Sequence, residues 1–338
     1  MDDLQPPSHR KILIIRFSSI GDIVLTTPVV RAVRQQLPGV ELHFLTKSQY
    51  GYLLTPNPYI DKIHEFKGNI KETIHELKKE DFDFIIDLQK NVRSRRITAA
   101  LRRPHQSFAK LNVKKWIMVN FKANLLPDIH IVDRYFEAAR ALGIHNDGQG
   151  LDFVIPAEKE FDTMDLPAVF EDGYITVSVG AQHATKRIPY QKIVDIGRGL
   201  LKPVMLLGGK DVEQIGEEIV HELGERAYNG CGKFNLYESA SLIRQSDGLI
   251  TGDTGLMHIA AALHKPIASL WGNTIPEFGM YPYLPGERNL FRLFEVNDLW
   301  CRPCSKLGYK KCPLKHFKCM CKIPAPEVAE WINRFNPN

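Results

Sequence analysis

The chain has 338 residues, of which 44% are hydrophobic and 25% charged, and its formal net charge is +5. This composition is that of an ordinary soluble globular protein, and the length allows two domains that each bury a core. No apolar run approaches the roughly 20 residues that span a bilayer. The polar, proline-bearing start at residues 1–10 is not a signal peptide, so we expect a cytoplasmic protein.

The positive charge is concentrated in one segment. Residues 87–122 hold ten Lys or Arg and one Asp, a local charge of +9, while the rest of the chain has 34 basic and 38 acidic residues. Such a segment favours a polyanionic partner: nucleic acid, a phosphorylated glycolipid or an anionic membrane surface. Its few aromatic residues favour a phosphorylated lipid over single-stranded nucleic acid. A solvated helix face would have the same composition.

The first predicted unit is a strand, a turn and a helix. Residues 11–17 form an almost continuous apolar run, as in a parallel strand covered on both faces. The run ends in the turn Ser18-Ser19-Ile20-Gly21-Asp22, and the pattern predicts an amphipathic helix over 23–37. The alternation continues and predicts a parallel, doubly wound sheet, with strands at 40–45, 62–66 and 82–88 and helices at 70–79 and 132–142.

The second half repeats the alternation, with strands predicted at 174–180, 204–209 and 266–272. A second turn, Thr251-Gly252-Asp253-Thr254-Gly255-Leu256-Met257-His258, follows an apolar strand end at 248–250 and precedes a helix. A glycine-containing turn of this kind leaves backbone N–H groups at the positive end of the helix dipole, which suits a phosphate or pyrophosphate. Simple helix capping by Asp253 or Thr254 would give the same pattern.

The two turns, about 230 residues apart, predict an α/β protein with two Rossmann-like, doubly wound domains facing each other across a cleft. The predicted domains cover residues 1–160 and 161–325, the second with a Cys-rich segment at 301–321. A helix within 326–338 is predicted to pack back on the first domain. Neither half has a G-x-G-x-x-G motif after a strand, which disfavours a dehydrogenase.

The two turns, in this order, resemble those of glycosyltransferase family nine, the ADP-heptose:lipopolysaccharide heptosyltransferases. Further shared motifs are Asp87-Leu88-Gln89 before Arg93-Ser94, Val132-Asp133-Arg134-Tyr135, Lys186 before Pro189, and Leu270-Trp271-Gly272-Asn273-Thr274. The resemblance runs from Lys11 to about Cys319. It implies a GT-B fold, with an N-terminal acceptor side and a C-terminal nucleotide-sugar side. It also implies inverting transfer of a heptose from ADP-heptose to the inner core of lipopolysaccharide, with no essential metal.

The resemblance implies that Asp22 is the general base, because an inverting displacement needs a carboxylate to take the proton of the acceptor hydroxyl. A helix N-terminus would favour the ionised form, although a helix cap without chemistry is the alternative. The implied acceptor-binding residues are Ser19, Gly21, Arg93, Arg95 and Arg96. The remaining basic residues, placed by the same reasoning in the acceptor domain, are Arg102, Arg103, Lys110, Lys114 and Lys115.

On the donor side, backbone amides and cationic side chains would stabilise the departing diphosphate. The resemblance implies that Thr254, Gly255 and Leu256 supply the amides, that Lys186 is the cation, and that Asp253 contacts the donor sugar. His258 could reach the same site or be a core histidine. Glu213 is a candidate for the ribose hydroxyls, and an exposed glutamate at a helix start is its alternative.

Five of the six cysteines lie between Cys301 and Cys321. Disulfides are not expected in the cytoplasm, and the spacing allows a structural zinc held by Cys301, Cys304, Cys312 and Cys319. Free thiols, or a disulfide or redox role, are the alternatives. The studied members of the family need no such site.

The sequence thus predicts a metal-independent enzyme with a nucleotide-sugar donor and an anionic lipopolysaccharide-core acceptor. It would associate peripherally with the cytoplasmic face of the inner membrane and bind no nucleic acid. One alternative keeps the fold and transfers another sugar to another anionic acceptor. Another is a basic, zinc-bearing nucleic-acid-binding protein, which has no need of two phosphate-type turns. A nucleotide-sugar epimerase is disfavoured by the basic segment.

Overall fold

The structure is a computed structural model that describes residues 10–335. Two parts of the sequence lie outside the described residues. They are residues 1–9, where no signal peptide is predicted, and residues 336–338, the end of the predicted C-terminal segment. The chain forms two compact units. Unit 1 comprises the described residues up to Lys110 together with Ile129–Val154. Unit 2 comprises Leu111–Asp128 and the described residues from Ile155 onward.

The described residues form eleven strands and twelve α-helices. The strands are β1 (Lys11–Ile15), β2 (Glu41–Lys47), β3 (Lys62–Phe66), β4 (Phe84–Asp87), β5 (His105–Ser107), β6 (Ile175–Ser178), β7 (Val204–Leu207), β8 (Ala227–Asn229), β9 (Gly248–Thr251), β10 (Ile267–Trp271) and β11 (Phe291–Glu295). The helices are α1 (Ile20–Val24), α2 (Thr27–Gln36), α3 (Ile70–Lys78), α4 (Val92–Leu101), α5 (Asn112–Phe121), α6 (Ile131–Phe136), α7 (Tyr190–Gly199), α8 (Glu213–Leu223), α9 (Leu236–Gln245), α10 (Gly255–Ala262), α11 (Lys318–Cys321) and α12 (Ala325–Asn333). None of these helices is both long and apolar enough to cross a bilayer.

Each unit contains one parallel sheet. The order in unit 1 is β3-β2-β1-β4-β5, and the order in unit 2 is β11-β10-β9-β6-β7-β8. The central strands are the apolar runs of the sequence: the side chains from Ile12 to Ile15 in β1 are completely buried, as expected for a parallel strand covered on both faces. The predicted α/β class with two doubly wound parallel sheets is confirmed.

The single helix predicted over 23–37 is wrong. The structure has two helices there, α1 and α2, separated at Leu25 and Thr26. Pro28 lies in the first turn of α2, where its missing N–H is tolerated. Within one continuous helix the same proline would remove a hydrogen bond, so the chain starts a new helix instead.

The C-terminal helix belongs to unit 2. Helix α12 packs on α7 and β10, and its buried residues Ala325, Val328, Ala329 and Ile332 are part of the hydrophobic core of this unit. Their spacing of three and four residues forms one apolar stripe, which the unit's own sheet and α7 cover. The buried face of this helix thus belongs to the core of unit 2, and its packing on the first domain stays a prediction.

The basic segment is divided between the two units. Helix α5 is part of unit 2, where the Lys122 ammonium donates to the carbonyl oxygen of Pro303 at 2.7 Å. The ammonium of Lys115 lies 5.3 Å from the ring centroid of Phe278. Lys114 and Lys115 therefore do not lie in the N-terminal unit, as the sequence order suggested, because local contacts hold their helix to unit 2.

Candidate functional site

Asp22 is held at the carboxyl end of β1 by a dense set of contacts. Its Oδ1 lies 2.5 Å from a guanidinium nitrogen of Arg16. Its Oδ2 accepts from the backbone N–H of Ser19 at 3.1 Å and from the Ser19 hydroxyl at 2.9 Å. The alternative that Asp22 caps a helix is thus confirmed in part, because Ser19 and Asp22 form a capping box at the start of α1. The side chain of Asp22 is still 23% exposed, so it is not closed off from solvent.

Arg16 is the partner that fixes the charge of this carboxylate. It donates to the Leu88 carbonyl oxygen at 2.7 Å and to the Tyr135 hydroxyl at 3.0 Å, so the guanidinium is anchored on three sides. Burial alone would raise the pKa of Asp22, but the positive charge of Arg16 and the hydrogen bonds from Ser19 outweigh it and lower that pKa. Asp22 is therefore a carboxylate at neutral pH. Burial also raises the pKa of Tyr135, whose hydroxyl accepts from Arg16, to about 12.

Replacing Arg16 with Met should raise the pKa of Asp22. The substitution removes the positive charge and keeps an apolar side chain, so burial acts on the carboxyl without compensation and disfavours its charged form. We expect an upward shift of about one unit or more, measured by a ¹³C NMR titration of the Asp22 carboxyl. Arg103→Met, which breaks an exposed pair with Asp81, is the control and should leave the titration unchanged. Equal Asp22 titrations in wild type and Arg16→Met would contradict this account.

The start of α4 is fixed to the end of β4. The Ser94 hydroxyl donates to Asp87 Oδ2 at 2.7 Å, and the Asn91 side chain accepts from the Ser94 backbone N–H at 2.9 Å. Asp87 Oδ1 accepts two more backbone N–H groups, from Gln89 and Lys90. The Asp87-Leu88-Gln89 motif thus orients the helix that carries the predicted acceptor arginines.

A surface cavity of about 500 Å³ opens beside this helix start. The Arg93 guanidinium lies over the ring of Phe66, 4.8 Å from its centroid. Arg96, one helical turn later, also lines the cavity, whereas Arg95 projects from a different face of α4 and does not. The structure therefore brings two of the three predicted acceptor arginines together. The lining residues are Phe66, Gly68, Ile70, Asn91, Val92, Arg93 and Arg96.

In unit 2 the second predicted turn brings together a lysine, a carboxylate and a hydroxyl. The Lys186 ammonium lies 2.5 Å from Asp253 Oδ2, and the Thr274 hydroxyl donates to the same oxygen at 3.1 Å. The side chains of Lys186 and Asp253 are 17% and 11% exposed. Three loops, which follow β6, β9 and β10, therefore meet at the carboxyl end of this sheet, where open α/β sheets bind their ligands.

The turn before α10 leaves its amides available. Thr254 is the N-cap residue, but its hydroxyl is bonded to the Thr251 hydroxyl at 2.9 Å and not to a first-turn amide. The carboxylate of Asp253 is bound to Lys186, so neither side chain acts as the simple cap that the sequence allowed. The N–H groups of Gly255 and Leu256 are then free of side-chain capping, as anion binding requires.

Gly252 makes the close approach of two of these loops possible. A Cβ at this position would lie 2.3 Å from the carbonyl oxygen of Lys186, well inside van der Waals contact. The strand–turn–helix motif therefore needs glycine here to keep Lys186 beside Asp253.

The two other residues that were predicted to contact the donor are His258 and Glu213. His258 is 2% exposed within α10, which fits the core-histidine interpretation better than a ligand contact. Glu213 is the first residue of α8 and is half-buried, and its backbone carbonyl oxygen accepts from the Asn229 side chain at 3.0 Å. A contact of Glu213 with ribose stays a prediction.

The Cys-rich segment supports the loops around Lys186 and Thr274. Arg302 donates to the carbonyl oxygens of Gly272 at 2.7 Å and Thr274 at 3.2 Å, and it pairs with Glu295. The Tyr309 backbone N–H donates to the Thr185 hydroxyl at 2.8 Å, next to Lys186. The segment is thus an integral part of the site's supporting structure.

The four predicted zinc ligands lie near one another, although no three of their sulfur atoms come within 4.8 Å of one another. Burial, with the neighbouring thiols, raises the pKa of Cys304 to about 11 and that of Cys319 to about 12. Among the described residues, a different group of three potential metal ligands has its donor atoms within 4.8 Å of one another. It consists of His43, His64 and Glu80 in unit 1. A structural zinc at Cys301, Cys304, Cys312 and Cys319 stays a prediction, because the four thiols are neighbours but are not already at the spacing of tetrahedral coordination.

Sequence reasoning did not single out three residues that organise these sites. Arg16 could have been noticed as a charged residue that closes an apolar strand. Thr274 lies in a motif that the family resemblance used without assigning it a role. Arg302 left no signal, because its partners lie about 30 positions away in the chain.

Two units, each with a parallel sheet and a polar turn at the carboxyl end of a central strand, are the architecture of the GT-B fold. The model of glycosyltransferase family 9 (heptosyltransferase) matches residues 70–313. The chain belongs to this family and is an enzyme.

The relatives agree with this assignment. The chain is 27% identical over 327 residues to lipooligosaccharide heptosyltransferase 2 of Haemophilus influenzae, covering 88% of this chain and 92% of that one. Its fold is similar to that of Escherichia coli ADP-heptose lipopolysaccharide heptosyltransferase II, with a TM-score of 0.71, 20% identity, and coverage of 96% and 98%. It also resembles the iron-containing heptosyltransferase TibC in complex with ADP-D-beta-D-heptose, with a TM-score of 0.56, 15% identity, and coverage of 98% and 77%.

Proposed function

We propose that this chain transfers a heptose from ADP-heptose to the inner core of lipopolysaccharide, with inversion at the anomeric carbon. The family and the names of its relatives support the sugar, the donor and the acceptor class. The observation that carries the mechanism is Asp22, a carboxylate that Arg16 keeps ionised and that is still 23% exposed.

Asp22 acts as the general base. The acceptor hydroxyl gives its proton to the carboxylate while its oxygen attacks the anomeric carbon from the face opposite the leaving group. Because the pKa of Asp22 is lowered, the carboxylate is always available but weakly basic. The proton therefore moves once the bond to the leaving diphosphate is largely broken and the hydroxyl has become acidic.

The leaving ADP is stabilised by unit 2. The amides of Gly255 and Leu256 and the ammonium of Lys186 face the developing negative charge of the diphosphate. In this proposal the diphosphate replaces Asp253 as the main partner of Lys186, and Asp253 turns to the sugar hydroxyls. No step requires a metal ion.

Arg93 and Arg96 hold the acceptor. Their cavity joins two guanidinium groups to an aromatic wall, which suits an acidic, phosphorylated sugar. The protein works at the cytoplasmic face of the inner membrane, where such an acceptor is presented. The division of the basic segment between the two units does not favour the nucleic-acid alternative.

Nucleotide-dependent thermal stabilisation tests the donor assignment. At a hundredfold excess over its Kd, ADP should stabilise the folded protein by about 3 kcal/mol and so raise its melting temperature. UDP, GDP and CMP should not raise it. Asp253→Ala should reduce the effect of ADP-heptose more than that of ADP, because Asp253 is assigned to the sugar. A preference for UDP or GDP would keep the fold and replace the donor, and no response to any nucleotide would contradict the proposal.

A further inference from the structure

Helix α5 has an apolar stripe on its exposed side. Val113, Trp116 and Phe121 are 70%, 56% and 68% exposed, and with the half-buried Ile117 they follow the three- and four-residue spacing of one helix face. Such a stripe normally faces a protein core, yet α5 contains no fully buried residue. Leu125, just after the helix, is 53% exposed as well.

Two aromatic residues of this stripe contact each other. The rings of Trp116 and Phe121 pack edge to face, with centroids 5.5 Å apart. The opposite side of the helix is fixed to unit 2, because Lys115 lies over Phe278 and Lys122 donates to Pro303. The structure thus fixes α5 on unit 2 with its apolar stripe outward.

The charge around the stripe has one sign. Residues 111–127 contain three lysines and no Asp or Glu. Lys114 is exposed on the same side of α5 as Phe121, about 20° around the helix axis from it by helix geometry. Trp, Phe and Lys on one exposed face are the composition of helices that lie in the interface of an anionic bilayer.

We propose that α5 and the following segment to Leu125 are the surface by which unit 2 binds an anionic phospholipid bilayer. The helix lies in the plane of the interface, with the stripe inserted among the headgroups and Lys114 beside the phosphates. Ten residues make a helix of about 15 Å, too short to span the hydrocarbon core. The inference rests on the proposed function in one respect: an acceptor that is linked to a lipid is reached at the surface of a bilayer.

Co-sedimentation of the full chain with lipid vesicles tests this surface. Wild type should bind vesicles containing phosphatidylglycerol and bind weakly to pure phosphatidylcholine, with binding that falls as salt rises. The double variant Trp116→Ser with Phe121→Ser should bind anionic vesicles about tenfold or more weaker, because two inserted side chains are lost. Lys114→Glu should weaken binding to anionic vesicles only. The control Met164→Ser with Leu201→Ser removes two side chains that are 88% and 72% exposed elsewhere in unit 2 and should bind like wild type.

The outcomes separate this inference from the proposed function. Failure of wild type to bind anionic vesicles, or equal binding by the Trp116/Phe121 variant, would overturn it. So would a wild-type dimer that this variant makes monomeric, since a second copy would then cover the stripe. Transfer to a soluble, deacylated acceptor should be unchanged in the variant. Absence of that transfer in wild type would count against the proposed function while leaving the vesicle result intact.

Discussion

Asp22→Asn should lower kcat of heptosyl transfer by about 100- to 10,000-fold, the contribution usual for a general base. The amide has the size of the carboxylate but cannot take the proton of the acceptor hydroxyl. The fold should persist, because Arg16 keeps its hydrogen bonds to the Leu88 carbonyl and the Tyr135 hydroxyl. Donor affinity should change little, since the donor groups lie in unit 2. Steady-state rates at saturating donor and acceptor, with a separate ADP titration, measure both effects.

Asp81→Asn is the matched control for this variant. The Asp81 side chain is 78% exposed in a surface pair with Arg103, so the same chemical change should leave kcat within twofold of wild type, as is usual for a surface substitution. If Asp22→Asn kept more than about a tenth of the wild-type kcat, Asp22 would be a helix cap without a catalytic role. A parallel loss of ADP binding would indicate a general loss of structure instead.

The central strands of both sheets could be predicted from sequence, because a parallel strand that is buried on both faces leaves a continuous apolar run. One edge strand was predicted as well, because the predicted strand 62–66 coincides with β3. The other edge strands, β5, β8 and β11, were missed, since they are short or partly polar and depend on their neighbours for pairing. His105-Gln106-Ser107, for example, has no strand pattern of its own and becomes β5 only by pairing with β4.

The same limit applies to the sites. Turns that join a strand to a helix are local, so the sequence placed Asp22 and Asp253 at the carboxyl ends of β1 and β9. The partners that set their electrostatics are distant or unremarkable in sequence. Lys186 reaches Asp253 from a loop 67 positions earlier, and the resemblance supplied that residue where spacing could not. Helix α5 lies between two segments of unit 1 in the chain but packs on unit 2, which no local pattern reveals.

Lys186→Met should reduce kcat/KM for the donor by about 100- to 1,000-fold, the usual effect of removing one group that stabilises developing charge. Most of the loss should appear in kcat, because the negative charge on the departing diphosphate grows toward the transition state. Arg187→Met is the control, since the Arg187 guanidinium pairs with Asp211 at 2.5 Å on the surface. It should retain near wild-type kinetics under the same assay.

The Lys186–Asp253 pair could instead serve only to hold its loops together, and a double variant separates the two roles. Lys186→Met alone leaves the Asp253 carboxylate, 11% exposed, without its cation, which costs stability in either case. Adding Asp253→Asn removes that unpaired charge and should restore much of the melting temperature. If Lys186 stabilises the leaving group, kcat stays low in the double variant because the cation is still missing. Recovery of kcat together with stability would show that the pair is structural, and the leaving diphosphate would then depend on the α10 amides alone.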